Sequence, residues 1–519
     1  MQRNHRREFL ADVGRGMLIA GAGYSLAVDL GLSPTLAEEG AESLTFGKLE
    51  PLVSMMQETN VEHIQPALVD KLRGGTELRE LVAAAALANA RTFGGEDYIG
   101  FHTFMAMSPA YFMAGRLPTE KQALPVLKVL YRNTNRLQEL GGRSHEVLHS
   151  IQPGALSGGE AAAEAMRDAI HRQDVNGAER ALAAATARSP EDGWNDLLLC
   201  VEENPEVHRV VLAYRAWDML ELLGREQAET MLRQSLRYCV KNEPHRVKYA
   251  ATHAQVLPKL LDQYKLVGKP AGTRTADDAW VENMSQTIFG APSPAQAADA
   301  VAAALAEGMT PESVAEAISL AANQLVLRDS GRPKSQAQPN KPVGSVHGDS
   351  IGVHACDSAN AWRNIARASN SRNRVASLIL AGYQVALDRV QRGGNFLEWK
   401  PRPYEERLTE LNSQDGETLL KNLDGAIREQ NQNLACALVH KYGASGYDAK
   451  GVFDLLLNYA ISEDGALHAE KYYRTASDEF AASRPAFRWR QLVALARVTA
   501  SEYGQPAPGY AEACELLKV

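Results

Sequence analysis

The chain has 519 residues, enough for two or three domains and for a core that needs no staples. Hydrophobic residues make up 45% and charged residues 23%, the balance of an ordinary water-facing globule, and aromatics are only 7%, which favours helix over strand. A formal charge of -8, with no basic stripe, excludes a nucleic-acid surface, which needs an excess of Lys and Arg.

The N-terminus carries Arg6-Arg7 followed by Phe9 and Leu10, a weakly apolar stretch from Gly16 to Leu32, and small residues up to Ala37. This resembles a twin-arginine export signal over residues 1–37, although Ala11 and Asp29 depart from the pattern. It implies recognition by the export machinery, passage of a folded protein and a periplasmic location. The apolar run is too short for a good membrane span, and no stronger one follows, so no stable span is expected after cleavage.

From Leu49 onward apolar residues recur at three and four, as in Leu78, Leu81, Val82 and Ala85, and the chain reads as all-α. Gly and Pro punctuate it at 152–159, 268–272, 331–344 and 393–403, giving four blocks of roughly a hundred residues. The five cysteines are widely spaced and form no C-x-x-C, so zinc ribbons, iron–sulfur clusters and c-type haem attachment are excluded, and the thiols are expected as small buried side chains.

The blocks repeat. Asp97-Tyr98-Ile99-Gly100-Phe101-His102 and Asp349-Ser350-Ile351-Gly352-Val353-His354 share D-x-I-G-x-H. The other two blocks carry Asp-Leu-Leu-Leu at 196–199 and 454–457, followed by Glu203…His208 and Glu463…His468. The offsets agree: 106 and 114 residues within each pair, 252 and 260 between pairs. Two motifs recurring in one order point to duplication: helical-hairpin units, four repeats in two pseudo-symmetric halves, residues 38–272 and 273–519. Helices are predicted over 103–115, 209–223, 355–368 and 469–482, each just after a histidine, with second helices over 122–140 and 374–392.

Matched histidines beside acids five residues upstream (Asp97, Glu203, Asp349, Glu463) suggest ligation. Neutral imidazole binds metal through one nitrogen while a carboxylate or carbonyl fixes the other. His102, His208, His354 and His468 are therefore the candidate ligands of a metal, iron favoured, or of haem. Asp97, Asp349 and His347 are candidate catalytic groups, His347 and Asp349 at the end of a long irregular loop, 330–346, that reads as a lid. The bland alternative is that the acids cap helices and the histidines pack. His145 and His149, four apart, form a weaker pair, and His245, His253 and His440 are ordinary core or surface residues. Tyr214-Arg215 with Asp218 and Tyr473-Arg474 with Asp478 read as buried polar support. No P-loop, G-x-G-x-x-G, G-x-S-x-G or H-E-x-x-H is present.

The stretch His354-Ala355-Cys356-Asp357-Ser358-Ala359-Asn360-Ala361-Trp362-Arg363, with the helical units that open on a histidine, resembles the questin oxidase-like family. The resemblance implies oxidative chemistry, of Baeyer–Villiger type, on a small organic substrate; an export signal departs from it. The expected function is thus an exported oxidoreductase. Its rivals are a non-enzymatic helical scaffold of the envelope and a metal-free lyase or hydrolase.

Overall fold

The computed structural model describes residues 42–154, 159–249 and 254–519; residues 1–37, where an export signal is expected, and His253 lie outside them. The described chain is all-helical, and its only β-type pairings are isolated bridges such as Ser43 with His149 and Glu463 with Pro506. No helix among the described residues is long and apolar enough to cross a membrane. The cysteines are free, four buried and Cys514 half-buried.

Ten helices position the site: α1 (Leu78–Phe93), α2 (Tyr98–Ala114), α3 (Ala123–Glu139), α4 (Val207–Asp218), α5 (Ala228–Lys241), α6 (Pro311–Arg328), α7 (Ile351–Ala368), α8 (Ser371–Arg392), α9 (His468–Ala482) and α10 (Trp489–Glu502). The predicted helices at 103–115, 122–140, 355–368, 374–392 and 469–482 match α2, α3, α7, α8 and α9 within a few residues. The stretch 209–223 is instead α4 plus a short turn, Leu220–Leu223, because the helix changes course after Asp218.

The starts follow from local chemistry. Asp97 caps α2 through the Gly100 amide at 2.7 Å, Glu206 caps α4 through Arg209 N at 2.6 Å, and Ser350 caps α7 through Val353 N at 3.5 Å. α2 is buried on nearly every face, so it runs through the middle of the core rather than along its surface.

Four helices close a ring. α2 packs on α9, α9 on α7, α7 on α4, and α4 on α2. The glycine of D-x-I-G-x-H serves this packing in both copies. A Cβ on Gly100 would stand 2.6 Å from the Phe93 ring, and one on Gly352 would stand 2.9 Å from the Leu325 carbonyl carbon. A buried ion pair ties α3 to α9: Lys128 Nζ lies 2.7 Å from Glu470 Oε1 and donates to the carbonyls of Ala460 and Glu463.

Candidate functional site

The four matched histidines meet at one end of that helical ring. His102 and His208 have ring centroids 4.9 Å apart, His208 and His354 5.8 Å, His354 and His468 5.3 Å, and His468 and His102 5.3 Å. Nε2 of His354 lies 3.2 Å from Nε2 of His468. Nε2 of His102 and of His208 is buried without any hydrogen-bond partner.

Backbone carbonyls aim two of the rings. Nδ1 of His102 donates to the Tyr98 carbonyl at 2.8 Å, one helical turn back, and Nδ1 of His468 donates to the Ala466 carbonyl at 3.0 Å. A carbonyl only accepts, so in each neutral ring the proton sits on Nδ1 and the lone pair on Nε2. The third ring has a carboxylate: Nδ1 of His208 is 3.5 Å from Glu206 Oε2. Ala466 and Leu467 adopt left-handed φ of 46° and 66° directly before His468, a conformation that costs such residues roughly 1–3 kcal/mol each. The backbone is thus bent against its preference at the point where the His468 ring is presented.

Three of the rings, His102, His354 and His468, are held neutral. Burial, then Lys471 and the neighbouring imidazoles, push His102 and His468 well below the ordinary histidine range. Burial, then His208 and Lys471, take His354 down to about 3. Lys471, itself buried, is lowered to about 8 by burial, against the pull of Asp357 and Glu470. Burial would raise the Glu206 carboxyl, but the His208 ring, the Tyr238 hydroxyl and the Arg209 amide hold it at about 2.

His102 and His468 are buried, whereas His208 and His354 are partly exposed, so the cluster opens on their side. Tyr98, 46% exposed, stands over that opening with its ring 4.4 Å from His102 and 5.8 Å from His208. Phe101 packs behind it, 5.3 Å from His208.

The acids five residues before the histidines are engaged elsewhere. Asp97 accepts from Arg136 at 2.6 and 2.9 Å as well as capping α2. Glu203 accepts from Arg167 and pairs with His171, each at 2.8 Å. Glu463 accepts from the Gly504 and Gln505 amides. Asp349 pairs with Arg332 at 3.0 Å and Lys341 at 2.6 Å; burial opposes its charge, but these two cations keep its carboxyl below the usual range. Of the four, Asp349 alone is placed to act on a histidine of the cluster, through the field it exerts on His354.

His347 is buried, its Nε2 lacks a partner, and burial lowers it to about 4. Its Nδ1 is 4.0 Å from Glu502 Oε1. Glu502 also accepts from the Gly348 amide at 2.7 Å, and burial followed by the Asp349 charge raises it to about 7. The loop from 330 to 346 is therefore pinned near its end, with Val346 N donating to Ser501 at 2.8 Å. A Cβ on Gly348 would fall 2.3 Å from the Cβ of His468, so this glycine lies directly against the cluster.

Sequence reasoning missed Glu206, Tyr98, Lys471 and Glu502. Glu206 had a signal, an acid at the capping position two residues before His208. Tyr98 and Lys471 lie about one turn from His102 and His468 on the same helices but carry no metal-binding signature, and Glu502 reaches the cluster from α10. His145, His149 and His440 stand apart from the four rings. Arg215 with Asp218 and Arg474 with Asp478 are internal ion pairs at 3.1 and 2.8 Å.

Among the described residues no group of three or more His, Cys, Asp or Glu side chains stands as a formed metal-holding set. The chain matches no known protein-family model, no curated protein and no solved structure.

Proposed function

We propose that the protein is an oxidoreductase whose centre is a metal ion held by His102, His208, His354 and His468. The observation that carries this reading is the 3.2 Å separation of two ε nitrogens, one of them an acceptor, beside two further ε nitrogens that have no partner. Two imidazoles sharing a tetrahedral ion at about 2.0–2.1 Å would hold their nitrogens about 3.3 Å apart.

Three further observations support it. His102, His354 and His468 are neutral, the form that coordinates. Their Nδ1 atoms are fixed by Tyr98, Ala466 and Glu206, as outer partners fix metal-bound histidines. The cluster is least covered at His208 and His354, with exposed Tyr98 beside it, and this is the side at which a small organic substrate would enter. The spacing favours a bare ion over haem, whose two axial nitrogens would stand about 4 Å apart with a macrocycle between them.

An all-imidazole set suits iron, copper or zinc, and iron is the choice that agrees with the oxidative chemistry implied by residues 354–363. Such an ion, when bound, supplies activation of oxygen. The chain's own residues do the rest. Exposed Tyr98 offers its ring to the substrate with buried Phe101 set edge-on behind it, Glu206 steadies His208, and Glu502, poised near 7, holds or releases a proton at the edge of the cluster.

The order of the rings also supports duplication. His102 and His354 occupy opposite corners, as do His208 and His468, which is the arrangement a twofold relation between halves would generate. Export by the twin-arginine route remains part of the proposal, and a reporter fused to residues 1–37 tests it by its dependence on Arg6-Arg7.

Elemental analysis and an absorption spectrum of the purified protein test the centre. Stoichiometric metal is expected, with His102→Ala/His354→Ala losing it while far-ultraviolet circular dichroism stays unchanged. Unchanged metal content in the double variant, or none in the parent after incubation with ferrous, cupric and zinc salts, overturns the reading.

A further inference from the structure

The end of α7 opposite the histidines faces a cleft of about 290 Å³, at the low end of the range for small-molecule sites. The cleft lies between the start of α6, the end of α7 and the start of α8, with the strand of chain at Ala271-Gly272 along one side. Three arginines line it: Arg363 and Arg367 from α7 and Arg374 from α8.

Arg363 is 4% exposed, and its Nη1 lies 3.0 Å from the buried Glu479 carboxylate. Its Nε, Nη1 and Nη2 are all shielded from water and none has a hydrogen-bond partner among the described residues, so the Glu479 contact is an ion pair only. Buried donors are nearly always satisfied, so an orphaned guanidinium edge beside a cleft calls for an acceptor from outside the chain. Arg374 spends only Nε, on the Ala366 carbonyl at 3.3 Å, and neither its remaining nitrogens nor Arg367 has a carboxylate partner among the described residues. The one acid lining the cleft is Glu312, exposed in the first turn of α6. The cationic groups outnumber Glu312 and Glu479, and the cleft is left with an excess of positive charge.

We propose that this cleft binds a small organic anion through a phosphoryl or carboxylate group. Arg367 and Arg374, toward the surface, take the anion's oxygens, and the buried Arg363 adds positive charge beneath them. The volume suits a metabolite rather than a polymer. Arg363 lies nine residues beyond His354 on one helix, roughly 13 Å along its axis, so the cleft is a separate site and does not depend on what the histidines hold.

Calorimetric titration of the full chain with sodium phosphate and with sodium succinate, each against sodium chloride at equal ionic strength, tests the proposal. At least one of the two anions is expected to bind where chloride does not; phosphate alone assigns a phosphoryl ligand, succinate alone a carboxylate. Arg367→Gln/Arg374→Gln, both toward the surface and tolerable to the fold, should weaken binding at least tenfold. Glu312→Gln should tighten it several-fold. Heats no greater than those of chloride for both anions, or wild-type affinity in the double variant, overturn the proposal.

Discussion

Nε2 of His354 faces Nε2 of His468 at 3.2 Å, and the His468 nitrogen has no hydrogen to give, because its ring proton is donated from Nδ1 to the Ala466 carbonyl. Only two arrangements satisfy that pair: His354 donates to His468, or both lone pairs face a cation. A cation between the lone pairs excludes a proton on Nε2 of His354, and burial keeps the ring neutral, at about 3.

Acid sensitivity follows. A histidine lowered from about 6.5 in the unfolded chain binds fewer protons folded than unfolded, so its contribution is complete above 6.5 and lost as pH falls toward 3. One such group contributes up to ~1.4 kcal/mol per pH unit in that window. Urea titrations of chelator-treated protein at pH 7.5, 5.5 and 4.5 should show this loss, and His354→Gln should flatten the slope by about one proton. An unchanged slope would mean that His354 titrates normally.

Glu502 works with the opposite sign. Its folded value of about 7 lies above the unfolded 4.5, so the folded state holds a proton that the unfolded state releases, and stability falls as pH rises between those values. Glu502→Gln mimics the protonated form. Relative to the parent it should gain roughly 2 kcal/mol on going from pH 5 to pH 8, measured by denaturant unfolding.

The Lys128–Glu470 pair is buried on both sides, at 1% and 0% exposure. Lys128→Met strands the Glu470 carboxylate and should cost about 3–5 kcal/mol. Lys128→Met/Glu470→Leu removes both charges and should recover most of that loss. A double variant as unstable as the single one would show that the carbonyl contacts of Lys128, rather than the ion pair, hold α3 to α9.

Gly348→Ala places a methyl group against the His468 Cβ, at 2.3 Å before any relaxation. Overpacking of this kind costs about 1–3 kcal/mol. Because the displaced side chain belongs to the cluster, metal affinity should fall at least tenfold while helicity is retained. Glycine is needed here for closeness rather than for backbone freedom.

Asp97 and Glu206 separate capping from ring orientation. Asp97→Asn weakens the contact with Arg136 and should lower stability by about 1 kcal/mol while metal content is kept. Glu206→Gln loosens the carboxylate beside His208 and should reduce metal affinity about 10–100-fold. The reverse outcome would restore the acid at 97 as the partner of its histidine.

The convergence of the histidines was legible because four rings at matched positions leave a pattern in the sequence that survives divergence. Helix positions were legible from the apolar period, but α2 and α7 start five and four residues before the predicted bounds, because Asp97 and Ser350 cap them ahead of the histidines. The partners of those rings were not. Tyr98 holds His102 through a carbonyl, which every residue possesses and no side chain advertises. Lys471 is three residues from His468 on an ordinary helical face, and Glu502 arrives from α10 through its contact with Gly348. The acids at minus five shared a position and yet took four different partners, since a helix-start carboxylate is drawn to whichever arginine, lysine or amide lies nearest.

The cluster draws its corners from residue 102 to residue 468, and neighbouring corners come from α2, α4, α7 and α9 in a closed circuit. No contiguous fragment shorter than that span contains all four. A nascent chain released before residue 468 would carry at most three corners, and a product clipped in the long loop before α7 only two adjacent ones. Cofactor uptake would then report on completion of the whole chain, and unfinished molecules would remain empty.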